Sequence, residues 1–203
     1  MPTAASRRKL EPQVRATPSL RNVVLAVAVS LDGYIARKNG AVDWLVSDPE
    51  IDLDLAGYAK TFDVIIAGRK TLDIPEGKVE KGGANPWGKM ECYIFSRSKP
   101  PGKRGGVEHV NQAPSEFIGQ LRHRAGKDIW LMGGGELARE FLKEDLVDRM
   151  DLGIMPVLLG EGIPLFPQGF PQRDFVLERF QAYKSGIVRA IYSRVAAKPR
   201  DKN

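Results

Sequence analysis

The chain has 203 residues, of which 42% are hydrophobic and 28% charged, a composition typical of a folded globular protein. Its net charge of +6 comes from the two ends, because residues 1–22 carry +4, residues 198–203 carry +2, and the segment between them is neutral. A nucleic-acid surface needs a cluster of surplus Lys and Arg on the folded part. We therefore expect no nucleic-acid partner.

Other classes of protein are also excluded. No run of 18 apolar residues is present, so we expect no membrane partner. The first 22 residues lack the apolar segment of a secretory signal. The single Cys92 excludes an internal disulfide and a cysteine zinc cluster, and two histidines disfavour a histidine metal site. We expect a cytoplasmic protein without a metal, with one domain over residues 22–197 and disordered tails at 1–21 and 198–203.

Apolar runs and turn signals predict the elements of the first half of the chain. Strands are predicted at 22–29, 34–36, 63–67 and 91–95, a helix at 49–61 that begins with the capping box at 47–50, a short helix from 68–71, and a long exposed loop at 74–90.

The second half continues the alternation and then ends in strands. A strand is predicted at 107–110, a helix at 113–125, a strand at 128–132, a helix at 136–143, a strand at 149–157, and a closing hairpin at 175–183 and 187–195. This order predicts an α/β fold in three layers, with a mostly parallel central sheet, helices on both faces and a C-terminal antiparallel hairpin.

Three glycines follow the strand at 128–132 and precede a helix. The amides at a helix N-terminus form an anion site when the chain can approach the anion closely. Gly133, Gly134 and Gly135 remove the side chains there, and Glu136 and Leu137 continue into the helix. We expect a diphosphate against this turn; the alternative is a tight turn without a ligand. The residues also satisfy the pattern G-x-G-x-x-A, but in the last βα unit rather than the first.

Polar residues also follow the strands at 63–67 and 91–95. Gly68, Arg69, Lys70 and Thr71 provide two cations and a hydroxyl, which suit the phosphate monoester that separates NADPH from NADH. Ser96 and Arg97 follow the next strand, and Arg97 could stack on an adenine or bind the same phosphate. For each group the alternative is a solvated surface. Because ligands of open α/β sheets bind at the carboxyl ends of strands, the three groups together predict one dinucleotide site.

Five segments resemble the dihydrofolate reductase-like superfamily, and in particular the branch with the reductase domain of bacterial riboflavin biosynthesis (RibD C-terminal domain). They are residues 30–35 (SLDGYI), 68–71 (GRKT), 95–97 (FSR), 133–137 (GGGEL) and 156–166 (PVLLGEGIPLF). The resemblance implies bound NADPH, with Ala28 and Gly33 near its nicotinamide, a cis peptide in the glycine triplet, and a homodimer.

The resemblance also points to candidate residues around the substrate. In dihydrofolate reductases a carboxylate on the helix after the first loop assists protonation, and here that helix offers Asp52 or Asp54; the alternative for both is a solvated carboxylate. Asp32 is a third candidate for catalysis, or it bonds the backbone of its own turn. The predicted substrate-binding residues are Trp44, Tyr58, Pro156, Gly160 and Gly162.

Together these features predict an NADPH-dependent reductase of a small pteridine-, pyrimidine- or carbonyl-type substrate, similar to the aminouracil reductase of riboflavin biosynthesis. The alternative enzymatic function is that of a dihydrofolate reductase. A nucleotide-binding regulatory or nucleic-acid-associated module without catalysis is the alternative from another class.

Overall fold

Parallel strands form the centre of a nine-stranded sheet, as the predicted alternation of strands and helices requires. The computed structural model describes residues 20–46, 48–50, 57–72 and 88–195. In sheet order the strands are β10 (Phe175–Ala182), β11 (Val188–Arg194), β8 (Arg149–Met155), β1 (Val23–Ser30), β7 (Asp128–Gly133), β3 (Phe62–Gly68), β4 (Glu91–Phe95), β6 (Val107–Val110) and β5 (Gly102–Arg104).

The predicted fold class is confirmed by the direction of these strands. β8, β1, β7, β3, β4 and β6 run parallel, whereas the hairpin of β10 and β11 pairs antiparallel to β8 at one end of the sheet. Two short strands were not predicted: β5, which pairs antiparallel to β6, and β9 (Ile163–Pro164), which pairs with β2 (Tyr34–Ala36) in a separate small sheet. Their three and two residues are too few to show a periodic pattern.

Helices lie on both faces of the sheet. On one face, α2 (Pro114–Arg122) and α3 (Gly135–Lys143) bury Ile118, Leu121, Phe141 and other apolar residues against the central strands. On the other face, residues 57–59 are helical and precede β3. A smaller cluster on the sheet includes Cys92, whose burial raises the pKa of its thiol to about 12, so that this thiol is not a nucleophile at neutral pH.

Arg21 belongs to the folded domain, although the predicted boundary placed it in the basic N-terminal tail. Its side chain is buried, pairs with the carboxylate of Asp63 and donates from Nε to the carbonyl oxygen of Lys127 at 2.6 Å. A buried guanidinium in such contacts ties the chain to the amino ends of β3 and β7. The domain therefore begins at least one residue earlier than predicted.

Several predictions lie outside the described residues. These are Ser47 of the capping box, the middle of the predicted helix with Asp52 and Asp54, most of the loop predicted at 74–90, and nearly all of both tails. Within the described segments, no helix is long and apolar enough to cross a membrane.

Candidate cofactor and substrate site

The carboxyl ends of the parallel strands meet at one edge of the sheet. β7 lies between β1 and β3, and β4 lies beside β3. The glycine triplet after β7 therefore stands between the loop after β1 and the short helix α1 (Arg69–Leu72) after β3, with Ser96 one strand further on. The structure thus brings together the three groups of residues that the sequence placed in one dinucleotide site.

The glycine turn joins β7 directly to α3. The peptide between Gly133 and Gly134 is cis, as the resemblance implies, and Gly133 has a φ of 94°, a conformation that favours glycine. Gly134 is the N-cap of α3 and provides no side-chain cap. The first amides of a helix have no partner within the helix, so this turn presents backbone donors at the centre of the site.

The three glycines have different reasons to lack a side chain. A Cβ on Gly135 would lie far inside van der Waals contact of the carbonyl oxygen of Pro164, so this glycine makes room for the protein's own backbone. The prediction that all three glycines make room for a ligand is therefore wrong for Gly135. A Cβ on Gly133 would meet no atom closer than 4.0 Å, and one on Gly134 would meet Thr71 Oγ1 at 3.3 Å. A Cβ on Gly134 would also lie 3.4 Å from Ile35 Cδ1, so that of the three glycines only Gly133 has open space around it.

Thr71 connects α1 to the glycine turn. Its Oγ1 accepts a hydrogen bond of 2.7 Å from the N–H of Gly134. Gly68 packs under the same turn, because a Cβ there would lie 3.6 Å from the carbonyl oxygen of Gly133 and 3.8 Å from Leu137 Cβ. A hydroxyl that accepts one hydrogen bond still has its own hydrogen to donate. Thr71 can therefore bind an anion and hold the turn at the same time.

The predicted cations stand at the ends of two neighbouring strands. Arg69 is half-buried at the start of α1, whereas Lys70 and, after β4, Arg97 are exposed. Because α1 has only four residues, these side chains rather than a helix dipole supply the positive charge. Ser96 is buried, and its hydroxyl oxygen accepts the N–H groups of Ser98 and Lys99 at 3.3 and 3.1 Å. It shapes the loop that carries Arg97.

Asp32 ties the loop after β1 to the loop after β8. Its carboxylate accepts the hydroxyl of Ser30 at 2.6 Å and the N–H groups of Leu159 and Gly160 at 3.0 and 2.7 Å. The Ser30 bond, followed by the two backbone bonds, lowers the pKa of Asp32 below its ordinary value. A carboxylate held in its charged form is a poor proton donor at neutral pH, so these contacts disfavour the predicted catalytic role of Asp32.

Backbone hydrogen bonds also join the loop after β1 to the segment after β8. The N–H of Leu31 donates to Val157 O and that of Leu165 to Gly33 O, each at 2.9 Å. Gly162 is a contact residue in this unit, because a Cβ there would collide with the carbonyl oxygen of Ala36. Gly160 instead has a φ of 74° and open space around it, and Pro156 is exposed. Of the predicted substrate residues in this loop, Pro156 and Gly160 border open space and Gly162 does not.

Substitution of Asp32 tests whether its hydrogen bonds hold the loop after β1 to the loop after β8. In Asp32→Ala we expect the amides of Leu159 and Gly160 to exchange about tenfold faster in hydrogen-exchange mass spectrometry, because they lose their acceptor. Asp43→Ala is the matched control, since Asp43 is an exposed carboxylate that pairs with Arg37 and not with either of these loops' amides. The lowered pKa means that the tie holds above pH 3.8 and weakens only as the pH falls through the lower folded value. Equal exchange of the Leu159 and Gly160 amides in both variants between pH 5 and 8 would show that Asp32 does not hold the two loops together.

Trp44 lies beside the end of β1. It is buried in a cluster with Met155, Tyr183 and Ile187, against which Ala28 packs. Its indole Nε1 is buried and has no hydrogen-bond partner among the described residues. The structure therefore places Trp44 next to Ala28, the residue expected near the nicotinamide, with a donor that the described protein does not satisfy.

Tyr58 covers an ion pair that sequence reasoning missed. Arg189 on β11 donates from Nε and Nη2 to the two carboxylate oxygens of Asp151 on β8, at 2.9 and 2.6 Å; Asp151 is buried and the Arg189 side chain is 12% exposed. The Arg189 guanidinium lies 4.4 Å from the centre of the Tyr58 ring. Burial, and then the charge and hydrogen bond of Asp151, raise the pKa of the Tyr58 phenol, which stays protonated. The only signal in the sequence was a carboxylate inside an otherwise apolar strand.

Small residues adjoin this pair on the same face of the sheet. Gly153 lies in register with Ala28 on β1 and with Arg189 on β11, and directly opposed residues share a face. The middle of the sheet therefore carries only a hydrogen and a methyl group between Asp151 and the end of β1. This low surface adjoins Met155, whose Cε would lie 3.9 Å from a Cβ on Gly153.

The strand order and the cluster of loops at one edge define an α/β protein of the dihydrofolate reductase-like class. Within that class the chain belongs to the RibD C-terminal domain family, whose model matches residues 21–189. It is 34% identical over 180 residues to the uncharacterized protein YyaP of Bacillus subtilis (strain 168), which covers 85% of this chain and 94% of YyaP.

Solved structures agree with the family. A putative riboflavin biosynthesis protein from Shewanella sp. PV-4 superposes with a TM-score of 0.74 at 28% identity, covering 86% of this chain and 99% of that one. Dihydrofolate reductase from Enterococcus faecalis, in complex with NADP(H) and RAB-propyl, has the same fold, with a TM-score of 0.61 at 15% identity over 85% of this chain and 96% of that one. The family supports an oxidoreductase of the reductase type, and the solved structures support the fold.

Proposed function

We propose that the chain is an NADPH-dependent reductase of a small pteridine-, pyrimidine- or carbonyl-type substrate. The observation that carries this proposal is the convergence of three groups on the neighbouring strands β7, β3 and β4: the glycine turn, the cations of α1, and Arg97. A long anionic dinucleotide is the ligand that such a row of donors and cations suits.

The residues present fit this cofactor. Gly133 leaves open space beside Gly134 and the first amides of α3, which suits the diphosphate, and Glu136 and Leu137 provide backbone there. Arg69, Lys70 and Arg97 suit the additional phosphate, with Thr71 between the two positions. Ala28 and Gly33 border the nicotinamide end. The cofactor would supply the hydride, and the chain orients it and excludes water.

The substrate end favours an uncharged ring or carbonyl compound. Among the described residues of the loops around it, Lys38 pairs with Glu161 at 2.5 Å and Arg37 with Asp43 at 2.7 Å. Arg189 is neutralised by Asp151. A substrate with a phosphate would require a cation that is not already paired. The Trp44 N–H and the low surface at Ala28 suit a flat compound with a hydrogen-bond acceptor.

The candidates for the proton donor are Asp32, Asp52 and Asp54. The contacts of Asp32 give it a positioning role in the loops around the nicotinamide end. Asp52 and Asp54 stay predictions, because both lie outside the described residues.

A single substitution tests the cofactor assignment. In Arg69→Ala we expect the Kd for NADPH, measured by fluorescence titration, to rise about 10- to 100-fold, because a charge-assisted hydrogen bond contributes about 1.5–3 kcal/mol. The Kd for NADH should change less than about threefold, because NADH lacks the extra phosphate.

The matched control for this test is Lys143→Ala, which removes an exposed cation from the last residue of α3, at the opposite end of that helix from the glycine turn. It should leave both affinities unchanged. Equal weakening of NADPH and NADH binding in Arg69→Ala would refute the phosphate assignment. If wild-type protein binds neither cofactor, the proposed function as a whole is wrong.

A further inference from the structure

Four positively charged residues lie at one corner of the sheet. Lys70 is on α1, Arg97 follows β4, and Lys103 and Arg104 are on β5, the last strand of the sheet. Residues 96–106, which lead from β4 through β5 to β6, include no acidic residue. Within the described ranges, none of the four side chains forms an ion pair with a carboxylate. We call these four residues the basic corner.

The lack of ion pairs distinguishes the basic corner from the rest of the described surface. Most arginines elsewhere pair with a carboxylate, namely in Arg21–Asp63, Arg37–Asp43, Arg122–Asp148, Arg124–Glu91, Arg139–Glu140, Arg149–Glu178, Arg173–Asp145, Arg189–Asp151 and Arg194–Asp148. Glu108 of β6 lies opposite Lys103 in register, but the two form no ion pair. A paired charge projects little field into solvent, because the field of its partner opposes it. The basic corner therefore keeps a positive field that the paired arginines lack.

The basic corner begins at the cofactor site and extends away from it. The strand order β3, β4, β6, β5 places α1 and the loop after β4 side by side, with β5 at the edge. Neighbouring strands are about 4.8 Å apart, so β5 lies about 14 Å from β3. Arg104 reaches back toward the site, because its Nη1 donates to the carbonyl oxygen of Pro100, in the loop after β4, at 2.9 Å. Lys103 and Arg104 are thus near the proposed cofactor without belonging to the residues proposed to bind it.

We propose that the basic corner is an electrostatic steering surface, which draws a polyanionic dinucleotide toward the carboxyl ends of β3 and β4. This inference rests on the proposed function, because NADPH carries a diphosphate and a further phosphate. A surface of one sign raises the local concentration of the opposite ion, and its association rate constant by about 10- to 1,000-fold. Charges at the rim of a site change mainly the association rate and its salt dependence. Lys103 and Arg104 therefore act on the encounter with the cofactor.

A small polyanion fits the basic corner better than a nucleic acid does. A nucleic-acid complex commonly neutralises about six to ten phosphates, so it needs a basic surface that continues over a long distance. The basic corner ends at β5, where the sheet itself ends. A single dinucleotide matches a surface that is about three strand spacings, or about 14 Å, wide.

Stopped-flow fluorescence of NADPH tests the proposal with the double variant Lys103→Gln and Arg104→Gln. In about 10 mM salt, where the Debye length is about 30 Å, we expect the association rate constant to fall about 3- to 10-fold. In about 1 M salt, where the Debye length is about 3 Å, the fall should be less than about 1.5-fold. The dissociation rate constant should not change. NADH, which has fewer phosphates, should lose less in the same variant.

The matched control removes two other exposed and unpaired cations, through Lys60→Gln and Lys143→Gln. Lys60 precedes the amino end of β3, and Lys143 is the last residue of α3. Both double variants have the same net charge, so only the position of the lost charges differs. We expect the association rate constant of the control to stay within about 1.5-fold of wild type, because distant exposed charges are screened.

A second variant covers the case in which the first one unfolds after losing the Arg104 hydrogen bond. Lys103→Glu also changes the net charge by two and leaves Arg104 in place, so it should give a similar loss of association rate. An unchanged association rate in a folded variant overturns the steering surface, as does an equal loss in the control or a faster dissociation. Wild-type protein that binds no NADPH would refute the proposed function and this inference together, whereas NADPH binding without an effect of these variants refutes this inference alone.

Discussion

Gly135→Ala is expected to destabilise the domain by about 3 kcal/mol, the upper part of the usual range for overpacking. The added methyl group would collide with the carbonyl oxygen of Pro164 and lie 3.2 Å from that of Leu165, and backbone atoms cannot rotate away as a side chain can. For a domain of this size the Tm should fall by roughly 6–12 °C, which thermal denaturation followed by circular dichroism measures. NADPH affinity should fall with it, because the same collision displaces the glycine turn.

Gly119→Ala is the matched control, since it is the same substitution inside α2 with no atom within 4 Å of the new Cβ. It should stabilise the domain by about 0.5–1 kcal/mol, because alanine loses less backbone entropy in a helix than glycine. A normal Tm in Gly135→Ala would show that the loop containing Pro164 is free to move. The packing explanation for Gly135 would then be wrong.

Local sequence patterns were sufficient to predict the main strands and helices and their order. The buried strands β1, β3 and β7 are short apolar runs with a polar or glycine-rich break at each carboxyl end. Such breaks show where a strand ends from the local sequence alone. The order of strands and helices then requires a parallel sheet, which places all these breaks at one edge. The meeting of these breaks at one edge of the sheet could be predicted for this reason.

Contacts between distant residues were the part that sequence could not provide. Gly135 and Pro164 are separated by a helix and a strand, so nothing local distinguishes a glycine that admits a ligand from one that admits a carbonyl group. Asp32 has the same difficulty, because its partners Leu159 and Gly160 offer only backbone N–H groups. A backbone donor has no signature in the sequence.

The ion pair on the substrate side shows a related limit. Asp151 and Arg189 were visible as charged residues in strands, but their meeting depends on the antiparallel register of β8 and β11. A shift of one residue would place Arg189 on the opposite face. The register is set by the hairpin and by the packing of the whole sheet, and therefore only the folded structure shows that one charge neutralises the other.

Asp151→Ala is expected to cost about 3–5 kcal/mol of stability, because it leaves the guanidinium of Arg189 buried without its partner. The carboxylate also accepts a hydrogen bond from Tyr58, whose phenol would lose its acceptor. Urea denaturation measures the change. NADPH affinity should stay within about threefold of wild type at temperatures where the variant is folded, because β8 and β11 lie on the opposite side of β1 from β7 and its glycine turn.

Removal of both charges tests whether the ion pair is needed only for stability or also for activity. Asp151→Val combined with Arg189→Met should recover most of the lost stability, because apolar residues of similar volume replace a buried pair at little net cost. If the pair only holds β8 to β11, this double variant should also recover reductase activity. If it orients the substrate, stability should return while activity stays low, and the loss should appear in KM as well as kcat. A double variant less stable than Asp151→Ala would contradict the interpretation of Arg189 as a buried cation that depends on Asp151.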